Sequence, residues 1–386
     1  MTPASTADLT PLSLYLHFPW CVRKCPYCDF NSHALRGEIP EDEYIAALLR
    51  DLDFELSSFA DARPLASIFM GGGTPSLFSG RAITRLLEET ARRLHFASDI
   101  EITLEANPGT VDEAHFTAYR AAGVNRLSIG IQSLNGAQLK ALGRIHDPLQ
   151  ARHAVDVARR AGFDNLNLDL MYALPQQTLA EAEADIRSAC ALAPEHLSYY
   201  QLTLEPNTEF HARPPPLPED DLAWAMQEQG QALLADHGYA QYEVSAYARP
   251  GRRCRHNLNY WQFGDYLGIG AGAHGKLSHA GGIVRRARQK HPRLYLDTAG
   301  TAASMQEQHT IPAADLPFEY TMNALRLNEG FELSDFVRCT SLPASTLAPA
   351  LDQARQRGLI ETHVDNIRAS KHGRAFLNDL IELFLP

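Results

Sequence analysis

Apolar runs and amphipathic segments alternate along the first half of the chain. Six runs have the length and apolarity of strands buried on both faces, and they span residues 12–18, 65–70, 100–105, 126–131, 165–171 and 196–204. Segments with helical spacing lie between them, at residues 41–59, 81–94, 112–122, 137–142, 149–161 and 179–192. Strands that alternate with helices form parallel sheets with the helices outside. The sequence therefore predicts an α/β fold of six βα units, and it favours an open, partial (β/α)6 barrel over a doubly wound sheet.

Local signals mark the ends of several of these helices. Residues 110–113 and 178–181 both have the Thr-x-x-Glu pattern of a capping box. Pro148 suits a first helical turn, and Gly123 and Gly162 stand where helix C-caps belong. We therefore expect helices to begin or end at these positions.

The alternation stops after residue 204. A proline-rich connection, one helical segment and a stretch rich in glycine and aromatic residues follow. Helical patterns return from about residue 313, and residues 359–368 have the pattern of a short hairpin, as in a winged helix. We predict a core of residues 1–210, a connecting and lid region of residues 211–310, and a smaller, mostly helical, winged-helix-like domain of residues 311–386.

The composition is that of a globular protein and excludes several classes. Apolar residues make up 45% of the 386 residues and charged residues 21%, so wholesale disorder is excluded. The net charge of −11 argues against a nucleic-acid binder. No apolar stretch approaches the length of about 18 residues that a membrane helix needs, and the N-terminus lacks the basic residues of a signal peptide. We expect a cytoplasmic protein with at most peripheral membrane association.

Three of the six cysteines are clustered directly after the first predicted strand. Cys21, Cys25 and Cys28 lie on one loop, so their thiols can converge on one site, whereas the other three are scattered and indicate buried small side chains. A closed structural zinc site needs four ligands. Three thiolates fit a four-iron cluster that leaves one iron free of protein ligands. A zinc site completed by a distant His or Cys is the alternative.

Polar residues stand where the next predicted strands end. The glycine-rich segment 70–75 follows the second strand, and its free N–H groups are expected to bind a carboxylate. Glu105, Gln132 and Asp169 end the third, fourth and fifth strands, and Arg144 lies on a following loop. Because the carboxyl ends of parallel strands share one face of a barrel, these side chains favour one shared site.

The CxxxCxxC spacing and the order of these motifs resemble the radical S-adenosylmethionine (SAM) superfamily, over about residues 12–206. The resemblance implies a partial TIM-like barrel in which Cys21, Cys25 and Cys28 hold a [4Fe–4S] cluster. It also implies that the open iron chelates SAM, which one electron from a donor such as flavodoxin or ferredoxin cleaves to a 5′-deoxyadenosyl radical. The SAM-binding residues that it implies are Tyr15, Tyr27, Gly72, Gly73, Thr74, Glu105, Gln132, Arg144 and Asp169.

Within that superfamily, the strings at residues 15–21, 71–75 and 169–175 resemble the branch of oxygen-independent coproporphyrinogen III oxidases and heme chaperones. The oxidase motif continues to a fourth cysteine where this chain has Phe30. The oxidases also carry a longer N-terminal arm, whereas 20 residues precede Cys21 here. Both departures favour the heme chaperones.

A third string, HNxxYW at residues 256–261, is similar to one that is linked to heme binding in the heme chaperones. It implies a heme site at His256, Tyr260 and Trp261, with His274 and Cys254 as weaker candidates. The alternative is that His256 forms hydrogen bonds within the lid while Trp261 packs in the core.

Three functions follow as hypotheses. The favoured one is a heme chaperone that binds heme as cargo and passes it to heme-accepting proteins, such as respiratory enzymes. The second is an oxidase that converts coproporphyrinogen III to protoporphyrinogen IX with SAM. The third is a zinc-binding structural protein.

Overall fold

The computed structural model describes residues 10–59 and 63–386. Its strands, numbered in chain order, are β1 (Leu12–Phe18), β2 (Trp20–Cys21), β3 (His33–Ala34), β4 (Leu65–Gly72), β5 (Phe96–Ala106), β6 (Arg126–Gln132), β7 (Leu166–Tyr172), β8 (His196–Gln201), β9 (Ala240–Glu243), β10 (Ala246–Ala248), β11 (Asp265–Ile269), β12 (His274–His279), β13 (Gly282–Arg288), β14 (Met305–Thr310), β15 (Phe331–Glu332), β16 (Ile360–His363) and β17 (Asn366–Ala369). Its α-helices are α1 (Glu41–Ser58), α2 (Gly80–Arg93), α3 (Glu113–Ala121), α4 (Gly136–Ala141), α5 (Pro148–Arg160), α6 (Leu179–Ala191), α7 (Glu209–Ala212), α8 (Asp220–Asp236), α9 (Arg255–Trp261), α10 (Pro292–Thr298), α11 (Leu316–Ala324), α12 (Leu333–Thr340), α13 (Ala348–Gln356), α14 (Lys371–Ala375) and α15 (Leu377–Glu382).

Twelve strands form one sheet, in the order β14-β13-β12-β11-β1-β4-β5-β6-β7-β8-β10-β9. The six predicted strands are confirmed as β1, β4, β5, β6, β7 and β8, which are parallel neighbours in that order. A helix lies in each connection between them. The carboxyl ends of these strands therefore share one edge, as the predicted α/β fold requires.

Strands from the predicted connecting region extend this sheet at both ends. β11 pairs with β1 as a further parallel strand that the sequence analysis missed. β12, β13 and β14 continue from it antiparallel, and β10 and β9 extend the other end beyond β8. The division of the chain at residues 210 and 310 stays a prediction.

The helix caps follow the local sequence, with one correction. The capping box of Thr178 and Glu181 at the start of α6 is confirmed, and Pro148 is the first residue of α5. The predicted box at residues 110–113 is wrong. Thr110 instead ends a 3₁₀ turn, and Asp112 caps α3 because its side chain accepts the backbone N–H of His115.

A buried network of ion pairs connects α1 to β13, one of the antiparallel strands that extend the sheet. The guanidinium of Arg288, on β13, donates through Nε to both carboxylate oxygens of Asp51, at 2.9 and 3.0 Å, and through Nη2 to Glu55. Asp51 is fully buried, Arg288 is 1% exposed and Glu55 is 2% exposed. Charges that deep are tolerated only when they are paired.

The C-terminal segment packs around its own hydrophobic cluster. α11–α15 surround a small sheet, β15-β17-β16, and the hairpin predicted at residues 359–368 is confirmed as β16 and β17. Phe263 and Ile283, which precede this segment, belong to the same cluster. In the described part of the chain, no helix has both the length and the apolar composition needed to cross a membrane.

Candidate functional site

A polar cavity opens at the carboxyl ends of β1 and β4–β7. Eleven residues that the sequence analysis assigned to the cluster or to SAM line it, namely Cys21, Cys25, Cys28, Tyr27, Gly72, Gly73, Thr74, Glu105, Gln132, Arg144 and Asp169. We call this space the thiol cavity. Tyr15 does not line it and faces a second cavity instead.

The cysteine loop is held by short contacts with its neighbours. A turn brings the N–H of Cys28 to the carbonyl of Cys25, at 3.1 Å. The Thr74 hydroxyl donates to Cys21 Sγ at 3.3 Å, and Arg144 Nη1 donates to Cys25 Sγ at 3.6 Å. Burial raises the pKa of the Cys21 and Cys28 thiols. These thiols are therefore protonated in the absence of a metal, and metal binding would release protons.

The three thiols share a cavity without converging on a single point. Among residues 10–59 and 63–386, no group of three or more His, Cys, Asp or Glu side chains is arranged to hold one metal ion. Thiolates of an iron–sulfur cluster each bind a different iron, so they stand further apart than the ligands of one ion. The donor set of three thiols around one cavity fits such a cluster.

The glycine-rich segment corrects an expectation, because its N–H groups are not free for a carboxylate ligand. Gly72, with φ of +108°, donates its N–H to Glu105 Oε2 at 3.1 Å. The N–H of Gly73 donates to the carbonyl of Phe18, and that of Thr74 to the carbonyl of Trp20. A Cβ on Gly73 would lie 2.6 Å from the Trp20 oxygen. The glycines thus allow close packing of β4 against the cysteine loop.

Two partly buried carboxyl groups, Glu105 and Asp169, face the thiol cavity. Burial raises the pKa of Glu105 to about 8, the nearby Asp169 raises it further, and the hydrogen bond from Gly72 opposes the shift. Burial also raises the pKa of Asp169, although Asn167 donates to its Oδ1 at 2.8 Å. This pair suits a positively charged ligand, which would stabilise both carboxylates.

Glu105 makes the stability of the ligand-free protein depend on pH. Because its pKa of about 8 lies above its ordinary value of 4.5, the folded protein keeps this proton as pH rises from about 4.5 to 8. The free energy of unfolding therefore falls across that window. One pKa unit corresponds to about 1.4 kcal/mol. We therefore expect the free energy of unfolding of Glu105→Gln at pH 8.5 to be higher than that of the wild type by about 2 kcal/mol or more.

Urea unfolding at pH 5 and pH 8.5 measures this effect. The difference between Glu105→Gln and the wild type should shrink toward zero at pH 5. Glu88→Gln, at an exposed position of α2, is the control and should show no such pH dependence. Equal stability of Glu105→Gln and the wild type at both pH values would contradict the prediction.

Gln132 and Arg144 form the side of the cavity near β6. Gln132 has a φ of +64°, and its Oε1 accepts the hydroxyl of Tyr200 at 2.7 Å. Arg144 donates through Nη2 to the carbonyl of Gly130 at 2.7 Å, whereas its buried Nε has no partner. A buried donor without a partner indicates a place for a ligand acceptor.

The sequence analysis missed several polar residues of this site. Tyr200, which also lines the cavity, ends β8 just as Glu105 ends the third predicted strand, so the same signal marks it. Behind Asp169, Asn167 Oδ1 accepts from His196 Nδ1 at 2.6 Å, and His196 Nε2 accepts from the Tyr242 hydroxyl at 2.8 Å. This chain fixes the orientation of Asp169.

The second cavity has a volume of about 640 Å³ and adjoins the first. We call it the aromatic cavity. Phe30, Gly72 and Glu105 line both. The other residues that line it are Tyr15, His17, Lys24, Asp29, Asn31, Tyr260, Trp261, Phe263, Tyr266, Gly272, His274, Lys276, Arg285, Lys290 and Asn323. Four aromatic side chains from 260–266 thus share one space with several cations.

The structure separates the three residues of the HNxxYW string. Tyr260 and Trp261 line the aromatic cavity, but His256 is only 1% exposed and lines neither cavity. Its Nδ1 is hydrogen-bonded to the Ser67 hydroxyl and its Nε2 to the Tyr260 hydroxyl, both at 2.9 Å. Burial lowers its pKa to about 3. In this arrangement His256 orients Tyr260, whereas Trp261 does not pack in the core as the alternative interpretation expects. Cys254, also fully buried, lies against Glu101.

Comparisons with known proteins identify the family of this chain. The family described as the radical SAM superfamily matches residues 15–189, and the HemN C-terminal domain matches residues 311–376. The "Heme chaperone HemW" of Escherichia coli is 51% identical over 378 residues, covering 98% of this chain and 99% of that protein. The HemW of Haemophilus influenzae is likewise 51% identical and covers 98% of each chain. The chain belongs to the HemW-type branch of the radical SAM superfamily.

One solved structure, that of an oxidase, has a fold similar to that of this chain. Coproporphyrinogen III oxidase (HemN) of Escherichia coli superposes with a TM-score of 0.82 at 24% identity, covering 97% of this chain and 90% of that one. At that identity the likeness establishes the fold alone. Membership of the radical SAM superfamily implies a [4Fe–4S] cluster and SAM.

Proposed function

We propose that this protein is a heme chaperone that binds heme in the aromatic cavity and passes it to heme-accepting proteins. One observation carries the proposal: the aromatic cavity combines aromatic walls with cationic side chains. A heme has a flat apolar face and two negative propionates, so both features complement it. The similarity to proteins named heme chaperones, over 98% of the chain, supports the same function.

The thiol cavity is proposed to hold the cluster and SAM beside this cargo. Cys21, Cys25 and Cys28 would ligate the cluster, which supplies an electron to SAM when both are bound. Glu105 and Asp169 would attract the positive groups of SAM, and the free Nε of Arg144 would donate to an acceptor. Gln132, Tyr27, Gly72, Gly73 and Thr74 would shape the pocket. Tyr15, across the shared wall, would contact ligands in the aromatic cavity.

An oxidase acting on coproporphyrinogen III is the second candidate, because its substrate has a similar size and charge. The exposed side chain of Phe30 weighs against it. Phe30 is 60% exposed and lines both cavities, at the position where the oxidase motif has its fourth cysteine. An apolar ring in that place cannot act as a ligand or an acid.

The partners follow from the same chemistry. A one-electron donor such as flavodoxin or ferredoxin would reduce the cluster, and heme-accepting proteins would take the cargo. The net charge of −11 disfavours nucleic acid. We propose a cytoplasmic location, with at most peripheral contact with a membrane.

Two assays on one anaerobically reconstituted sample test the function. In the first, hemin is titrated by absorbance and an apo heme protein is then added to receive it. In the second, coproporphyrinogen III, SAM and a reductant are incubated and the products are separated. We expect hemin binding and transfer with no protoporphyrinogen IX. Turnover of the porphyrinogen without hemin transfer would instead identify an oxidase.

A further inference from the structure

His274 is the imidazole of the aromatic cavity that is free to act as a ligand. It is exposed and lines the cavity, and within residues 10–59 and 63–386 its ring nitrogens have no hydrogen-bond partner. An imidazole needs an unprotonated nitrogen to bind iron. Partial desolvation of the ring and the positive charge of Lys290 lower the pKa of His274, so the neutral ring predominates at pH 7.

The backbone of His274 is held in place although its ring is free. His274 begins β12, where it pairs with Ala287 of β13. Its carbonyl lies so close to Gly268 of β11 that a Cβ there would approach to 1.8 Å. A ligand on a rigid strand needs little ordering when it binds, which favours affinity.

Other candidate ligands in and near the cavity are already engaged. His17 accepts the Tyr15 hydroxyl at Nδ1, at 3.0 Å, and donates from Nε2 to the carbonyl of Asn31, at 2.8 Å. Lys276 is buried in an ion pair with Asp265, at 2.9 Å. His256 is enclosed behind Tyr260. Each would have to break a buried contact before it reached an iron in the cavity.

Two lysines at the same cavity complement the propionates. Arg285 and Lys276 are ion-paired with carboxylates, whereas Lys24 and Lys290 have no such partner in the described part of the chain. Lys24 donates from its ammonium group to the carbonyl of Phe30, and the backbone carbonyl of Lys290 accepts from the Asn31 side chain, so the segments that carry the two lysines meet at Asn31. The two propionates of a heme extend from one edge of the macrocycle, so neighbouring cations can bind both.

We propose that His274 ligates the iron of a heme in the aromatic cavity, with Lys24 and Lys290 facing its propionates and Tyr260 and Trp261 against the macrocycle. This inference rests on the proposed function and deepens it. The proposed iron ligand is therefore not His256 of the HNxxYW string, on α9, but His274 at the start of β12.

Hemin titration of His274→Ala tests the ligand. We expect hemin to bind about tenfold more weakly or worse than to wild type, with a changed Soret spectrum that added imidazole restores. Metal-free protoporphyrin IX should bind both proteins equally, which shows that the cavity is intact. His279→Ala, at the other end of β12, is the matched control and should bind hemin as the wild type does.

The outcomes separate the two proposals. Unchanged hemin affinity and spectrum in His274→Ala would overturn the assignment of His274 and leave the chaperone function standing. A wild-type protein that binds neither hemin nor protoporphyrin IX would overturn both.

Hemin and its uncharged dimethyl ester test the lysines. We expect Lys24→Ala and Lys290→Ala each to weaken hemin binding by about fivefold, while the ester binds all proteins alike. Lys140→Ala, exposed on α4 away from the cavity, is the control. Equal losses for hemin and the ester would contradict a charge contact.

Discussion

Replacing Cys25 with alanine is expected to abolish the iron–sulfur cluster while the fold remains. A four-iron cluster with three protein thiolates already has one open iron, and two thiolates leave a second iron without a protein ligand. Arg144, which donates to Cys25 Sγ at 3.6 Å, cannot ligate iron in place of that thiolate. Iron and sulfide analysis after anaerobic reconstitution, with the visible absorbance of the cluster, measures the loss.

The scattered cysteines provide the control for this prediction. Cys190, on α6, is 8% exposed and does not line the thiol cavity. Cys190→Ala should therefore retain wild-type iron and sulfide. A full complement of both in Cys25→Ala would refute the assignment of the cysteine loop.

Replacing Arg288 with leucine is expected to lower the free energy of unfolding strongly. It would leave the buried Asp51 without its cation, and it would leave the buried Glu55 with Arg286 alone. Breaking a buried ion pair by removing one partner typically costs about 3–5 kcal/mol. We expect a loss of that size in the free energy of unfolding, measured by urea titration at pH 7.

An exposed ion pair is the matched control. Arg160 and Glu113 form a contact of 2.9 Å whose side chains are 49% and 57% exposed. Arg160→Leu should change the free energy of unfolding by about 1 kcal/mol or less, because solvent screens such pairs. Similar changes in the free energy of unfolding for the two substitutions would show that burial does not make the Arg288 network more important for stability than an exposed ion pair.

Much of the parallel sheet was predictable because its signals are local. Each of the six predicted strands is a short apolar run, and the helices between them carry start signals, such as Thr178 at the N-cap of α6 and Pro148 in the first turn of α5. β11 was missed since its five residues lie in a glycine-rich segment with no following helix of the same pattern. Its place beside β1 depends on a pairing across some 250 residues.

The candidate site was predictable to the extent that topology fixes it. Carboxyl ends of parallel strands meet at one edge, so Glu105, Gln132 and Asp169 come together whatever the helices do. Hydrogen-bond partners are not fixed in this way. The local sequence predicts neither the hydrogen bond from the Gly72 N–H to Glu105 nor the absence of a partner for Arg144 Nε.

The sequence by itself determined the order of the first six parallel strands and the helices between them, the spacing of the three thiols and the family, because each depends on residues close together in the chain. Only the tertiary structure decided which polar groups are satisfied and which face a cavity. The buried His256 is hydrogen-bonded to Ser67, 189 residues away, whereas His274 is exposed at the start of β12. Burial and exposure of an imidazole depend on such distant contacts, and the hydrophobic pattern around it does not record them.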